Sequence, residues 1–280
     1  MKSFKEFFYS KHNLQQINSY LKGLNKQLSL KDLINHLKKH FELTKIKLNP
    51  AGNKVLAFEE TKRDYKAEYK KFQSSPEKIL TENTREQYYE KQSQEVSDTN
   101  SSHVVGWLDG NENQIKRFQT LLDIGVKDGD SVLDVGCGVG HLVEHLKNIN
   151  LKVCYTGIDT NKYAIGRAKN AYLKESFIYG TIHDLNETYD WGLASGVFNY
   201  KFPKLEMLET VDRLLTKVNK GVAFNLLNGF YISPEYVFYV PEEVISYFSK
   251  YSTQVSIIEN YGIENDFTIY IKKNQKNVNI

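Results

Sequence analysis

SVLDVGCGVGH, residues 131–141, lies near the middle of a chain of 280 residues. Val132, Leu133 and Val135 predict a short buried strand, and Gly136, Gly138 and Gly140 follow it at alternate positions. Glycine loses more backbone freedom on folding than any other residue, so three together mark a bend where a ligand lies against bare backbone. The first amides of the helix after such a bend face that ligand. Dinucleotide sites use G-x-G-x-x-G. Here the third glycine comes one residue early, and His141 follows it. Asp134 adds a carboxylate at the end of the strand, which would repel a pyrophosphate and attract an ammonium group.

Outward from this stretch, strands and helices alternate. Strands are expected at 132–135, 153–158, 176–179, 191–194, 222–227, 254–259 and 266–271. Helices are expected at 114–124, up to 148, up to 173, at 203–218 and at 241–251. Such alternation implies a mostly parallel sheet covered on both faces. The last two strands are joined only by 260–265, too short for a crossover, so they should pair antiparallel. The expected fold is therefore α/β, a Rossmann-like doubly wound sheet of seven strands with an antiparallel last strand. Asp159 ends the second strand, 19 residues beyond Gly140. An acid there, beside Thr160, can accept both hydroxyls of a ribose.

The N-terminal part reads differently. Leu14, Ile17, Leu21, Leu24 and Leu28 form one helical stripe, and Ser75-Pro76 opens a further helix. Residues 1–95 are expected to be a mostly helical extension, and 96–280 the α/β domain. Segment 96–113, carrying His103 and Trp107, reads as a lid. Residues 1–100 hold 19 Lys+Arg against 13 Asp+Glu, an excess of +6 in a chain of net charge +3. A solvated helical face explains that better than a nucleic-acid surface. No run is apolar enough to span a membrane, and the N-terminus lacks a secretory h-region. Two cysteines, Cys137 and Cys154, make a disulfide framework or a metal site unexpected and point to the cytoplasm.

VLDVGCGVG followed by YTGID resembles the first two motifs of the class I S-adenosylmethionine-dependent methyltransferases, over about residues 110–272. The resemblance implies that Gly136, Cys137, Gly138 and Gly140 hold the methionine part of S-adenosylmethionine, and Asp159 its ribose. Where that family has an aspartate for adenine, this chain has Thr181, which leaves the Thr181 hydroxyl, the Ile182 amide or Asp184 for that role. Ser195 and Gly196, after the fourth strand, would lie between cofactor and acceptor. The segment SGVFN lacks the two prolines of base-modifying amino-methyltransferases. Arg117 could reach the cofactor carboxylate or lie on the surface. His183 and His103 are general-base candidates. Asn199, Tyr200, Asn228, Tyr231 and Trp107 are substrate-side candidates. The expected activity is O- or N-methylation of a small-molecule acceptor, yielding S-adenosylhomocysteine. The alternatives are an RNA methyltransferase docking through the basic N-terminal region, and a non-catalytic assembly protein self-associating through its helices.

Overall fold

The structure, a computed structural model, describes residues 76–95, 111–229, 236–250 and 254–273. The leucine stripe lies outside the described residues, as do His103, Trp107 and Tyr231. One compact unit comprises Glu68–Ile280, and the other, Met1–Ala67, falls outside the described part.

Strand β1 (Ser131–Val135) forms the middle of the sheet and is buried on both faces, as a doubly covered parallel strand must be. It pairs in parallel with β2 (Cys154–Asp159) on one side and with β4 (Tyr189–Ala194) on the other. Beyond β2 lies β3 (Ser176–Tyr179), and beyond β4 lies β5 (Val218–Asn228). β8 (Asp266–Lys272) runs antiparallel to β5 and to the edge strand β7 (Gln254–Glu259). The seven strands follow the order β3-β2-β1-β4-β5-β8-β7. The order reverses between β1 and β4, so the loops leaving those two strands diverge and open a crevice at their carboxyl ends.

Six helices are described: α1 (Pro76–Glu95), α2 (Asn111–Leu122), α3 (His141–Asn148), α4 (Lys162–Ala171), α5 (Lys204–Thr216) and α6 (Pro241–Phe248). Phe118, Leu121 and Leu122 of α2 join Leu142, Val143 and Leu146 of α3 in one core cluster with Val132, Tyr155 and Leu193. These helical positions repeat at three and four, so a single stripe is buried. At the opposite end of the sheet from the crevice, Trp191 donates through Nε1 to Asp130 at 2.8 Å. Burial alone would raise the Asp130 carboxyl, but hydrogen bonds from Lys220, the Lys127 amide and Trp191 hold it below the usual value.

The seven expected strands and the antiparallel closing pair are all present. Three local differences matter. Residues 111–113, read as lid, are the first turn of α2. α1 packs against α4 within the sheet's own unit. A further strand, β6 (Phe238–Tyr239), pairs in parallel with the end of β5. Two residues carry no period, so sequence could not show it. Its Tyr239 hydroxyl donates to the Phe198 carbonyl at 3.0 Å and so anchors the loop after β4. None of the described helices is long and apolar enough to cross a membrane.

Candidate active site

The glycine loop is built as its spacing suggested. Gly136, Gly138 and Gly140 have φ of +69°, +55° and +87°, the left-handed region that side chains resist. A methyl group at Gly136 would also stand 2.5 Å from Val197 of the loop after β4. The amides of Gly136 and Cys137 donate to the Ile158 carbonyl at 2.8 and 3.2 Å, tying the loop to the end of β2. Gly136, Cys137 and Gly138 line a cavity at the crevice, but Gly140 does not. Gly140 stands just before α3 and packs under Tyr172 and Phe177, so it turns the chain into the helix. The Cys137 thiol is buried, and burial raises it well above its ordinary value, which keeps it protonated.

Two carboxylates face the loop. Asp159 accepts the Gly138 amide at 2.8 Å on one oxygen and the Asn161 amide at 2.7 Å on the other. With the Thr160 amide as a third donor, the carboxylate keeps acceptor capacity for a ligand hydroxyl. Asp159 is not the cap of α4: the Asn161 side chain accepts from Tyr163 and Ala164 and does that work. Asp134 is buried and accepts the Tyr155 hydroxyl at 2.7 Å. Burial pushes its carboxyl up to about 7, and the charge on Asp159 adds to this, although the Tyr155 hydrogen bond opposes it. Burial likewise raises Asp159.

Sequence reasoning passed over Tyr155, although the glycine that makes room for it is visible in YTGID. A methyl group on Gly157 would stand 2.7 Å from Cys137 Sγ and 2.9 Å from the Tyr155 hydroxyl. Gly157→Ala should therefore displace both side chains, costing about 1–3 kcal/mol as in other overpacked cores. Urea melts of the variant and wild type measure that loss.

On the far side, Thr160, Thr181, Ile182 and His183 line the cavity. Thr181 caps a short 3₁₀ turn (Ile182–Asp184): its hydroxyl accepts the His183 amide, and Asp184 accepts both the Thr181 amide and hydroxyl. Asp184 is thereby turned away from the cavity, and those bonds hold its carboxyl below the usual value. His183 Nε2 stands 3.4 Å from Glu209 of α5. Ser195 and Gly196 also line the cavity, and the Ser195 hydroxyl is buried with no hydrogen-bond partner.

Asn199 and Tyr200 line the cavity wall. Asn199 also accepts the Leu227 amide at 3.2 Å. Asn228 does not reach the cavity. Its amide nitrogen is 3.4 Å from Glu259 on β7, because alternation along β5 points it to the other face. Arg117 lines the cavity but is buried, and its Nε donates to Asp266 at 2.8 Å. His141, at the first position of α3, also lines the wall.

The roof comes from α1. Arg85 pairs with Glu206 of α5 at 2.9 Å, and the Tyr89 carbonyl accepts the Asn161 side chain at 3.0 Å. With Tyr88 and Tyr89 above and the strand ends below, the space enclosed is about 750 Å³. That volume suits a small-molecule ligand set. The arrangement offers bare backbone, two acids facing it, a hydroxyl without a partner and a histidine–glutamate pair within one chamber.

Residues 126–225 match a family model described as a methyltransferase domain. The match covers those residues alone, and the sheet around them has a class I methyltransferase-like fold. The Mycobacterium tuberculosis (strain ATCC 25618 / H37Rv) methyltransferase candidate Rv1506c is 26% identical over 170 residues, spanning 54% of this chain and 97% of the relative. Magnesium protoporphyrin IX methyltransferase (ChlM) from Synechocystis PCC 6803, in its crystal structure with bound S-adenosylhomocysteine, shares the fold. It aligns with a TM-score of 0.51 and 13% identity, covering 71% of this chain and 100% of that one.

Proposed function

We propose that this protein transfers the methyl group of S-adenosylmethionine to a small-molecule acceptor enclosed beneath α1. The helix carries the reading, because its ion pair with α5 and its hydrogen bond to Asn161 hold it across the strand ends as one wall of the cavity. A polynucleotide would also meet the wrong charge there. Glu86, Glu90, Glu209 and Glu264 line the cavity beside Asp134 and Asp159, whereas its two arginines are each engaged by a carboxylate. Phosphates are repelled by such walls. The cysteine content fits a cytoplasmic setting.

The residues present fit the methyl donor. Gly136 leaves backbone exposed at the cavity, the Ser195 hydroxyl awaits a partner, and Asp159 retains acceptor capacity for a ribose hydroxyl. In this reading Asp134 holds the amino group, the Ile182 amide and Thr181 meet the adenine, and Arg117 fixes the cavity wall through Asp266. When bound, the donor supplies an electrophilic methyl group on a positively charged sulfur. The chain's part is to align the acceptor with that methyl group and to exclude water, a proximity effect. In this reading His183, 3.4 Å from Glu209, takes a proton from the acceptor.

Calorimetry with S-adenosylhomocysteine and NAD, followed by transfer from methyl-tritiated S-adenosylmethionine to small metabolites and to total RNA, tests the reading. Label in the small-molecule fraction is expected. Label confined to RNA overturns the acceptor class, and NAD binding without S-adenosylhomocysteine binding overturns the donor.

The Asp134 carboxyl gives a pH signature. It is mostly protonated below about 7 in the free protein, and a ligand ammonium is held best by the ionised form. Affinity for S-adenosylhomocysteine should rise with pH up to about 7 and then level, with proton release on binding at pH 6. The free protein should lose stability over the same rise, since the folded state keeps a proton that the unfolded chain gives up. Titrations in buffers of different ionisation enthalpy check this, and Asp134→Asn should flatten the profile.

A further inference from the structure

The acceptor side of the chamber has a chemistry of its own. Tyr200, in the loop after β4, is buried at the centre of a tyrosine cluster. Tyr88 of α1 stacks on it with centroids 4.3 Å apart and planes at 28°. Tyr89 and Tyr236 meet its edge, each at 5.8 Å and 75°. All four line the cavity, so ring surface from three separate segments converges on one space. The carboxylates named above share that space, within a chain whose net charge is +3. The arginines do not offset them: Arg85 is spent on Glu206 and on the face of Phe202, 4.3 Å from its centroid, and Arg117 on Asp266. The Lys201 ammonium, 5.4 Å from the Tyr200 centroid, shows that this ring already attracts a cation.

Aromatic faces attract cations through their quadrupole, and the attraction grows when water is excluded. With Asp134 and Asp159 facing the donor and Glu209 paired with His183, the carboxylates of Glu86, Glu90 and Glu264 on the cavity wall add to the same preference. Resting on the proposed methyl transfer, we propose that the acceptor is a cationic amine on an apolar or aromatic skeleton, received by the Tyr88–Tyr200–Tyr236 wall. A neutral alcohol would gain nothing from the carboxylates, and a carboxylic acid would be repelled by them.

The chemistry balances with groups already in place. The ammonium gives one proton to the His183–Glu209 pair, and the nitrogen lone pair then forms the bond to the methyl carbon. The carbon–sulfur electron pair stays on sulfur, which becomes the neutral thioether of S-adenosylhomocysteine. The product is a methylated ammonium, and the histidine passes its proton to water.

The test uses the full chain saturated with S-adenosylhomocysteine and three matched compounds: phenethylamine, 2-phenylethanol and phenylacetate. Calorimetry should show the amine binding at least about tenfold more tightly than the alcohol, with the acid weakest. The unreactive cation benzyltrimethylammonium should compete with the amine. Tyr200→Leu, and independently Tyr88→Leu on α1, should remove most of the preference for the amine over the alcohol while affinity for S-adenosylhomocysteine stays within about twofold. Equal binding of alcohol and amine, or a preference unchanged in both variants, overturns the proposal and leaves the donor assignment standing. Failure of S-adenosylhomocysteine itself to bind overturns both.

Discussion

Arg117→Ala is expected to destabilise the domain by about 3–5 kcal/mol, the cost of leaving a buried charge without its partner. The side chains of Arg117 and Asp266 are 4% and 0% exposed. The guanidinium uses both Nε, at 2.8 Å, and a terminal amino group on the same carboxylate oxygen. Without it, Asp266 would keep the Tyr261 hydroxyl as a donor but lose the guanidinium's charge. At about 2–4 °C per kcal/mol for a domain of this size, the melting midpoint should fall by about 10 °C. The pair joins α2 to the first residue of β8, where Glu264 and Asn265 enter the cavity wall. Loss of donor affinity should therefore accompany the loss of stability. A cycle with Asp266→Leu separates the two contributions to stability. The double variant should recover much of the loss, because replacing both charges with apolar groups removes the orphan that the single change creates. A single Arg117→Ala that melts with wild type would show the pair to be dispensable.

What could be read from the sequence follows from the distance over which each feature is decided. The seven strands, the order-reversing crevice and the left-handed loop are local: period, turn residues and a glycine run within ten residues encode them. Asp134 and Asp159 were legible for the same reason, each closing a strand. Tyr155 was not, because its partner is chosen by the parallel register of β1 on β2, which sets it beside Val132 and one pleat from Asp134. The resemblance implies a ligand role for Gly140, whereas the side chains that would meet a methyl group there, Tyr172 and Phe177, lie more than thirty residues on and could not be read from the loop. The roof was the least legible part. Arg85 and Glu206 are 121 residues apart, and nothing in either segment names the other. Tyr88 and Tyr89 are adjacent in the sequence, but an aromatic pair in a helix equally predicts core packing. Tyr236 becomes significant only once β6 returns the chain to the mouth of the sheet.

Asp159→Ala should weaken S-adenosylhomocysteine binding by about 100-fold or more, since two hydrogen bonds to a charged group are worth about 1.5–3 kcal/mol each. The carboxylate has a second task in this fold, and the experiment must divide the two. Its oxygens already accept the Gly138 and Asn161 amides, so removing them loosens the glycine loop as well as the ribose contact. The division comes from the ligand. A 2′-deoxy analogue of S-adenosylhomocysteine lacks one hydroxyl but still needs the loop. Wild type should bind the analogue about tenfold more weakly than the parent, whereas Asp159→Ala should bind both alike. Asp159→Asn keeps an acceptor oxygen for one amide, and should lose affinity while retaining most of the loop's stability in urea. If the penalty for the missing hydroxyl were the same in Asp159→Ala as in wild type, Asp159 would act only through Gly138. The ribose would then need another acceptor on the cavity wall, and Thr160 is the adjacent side chain.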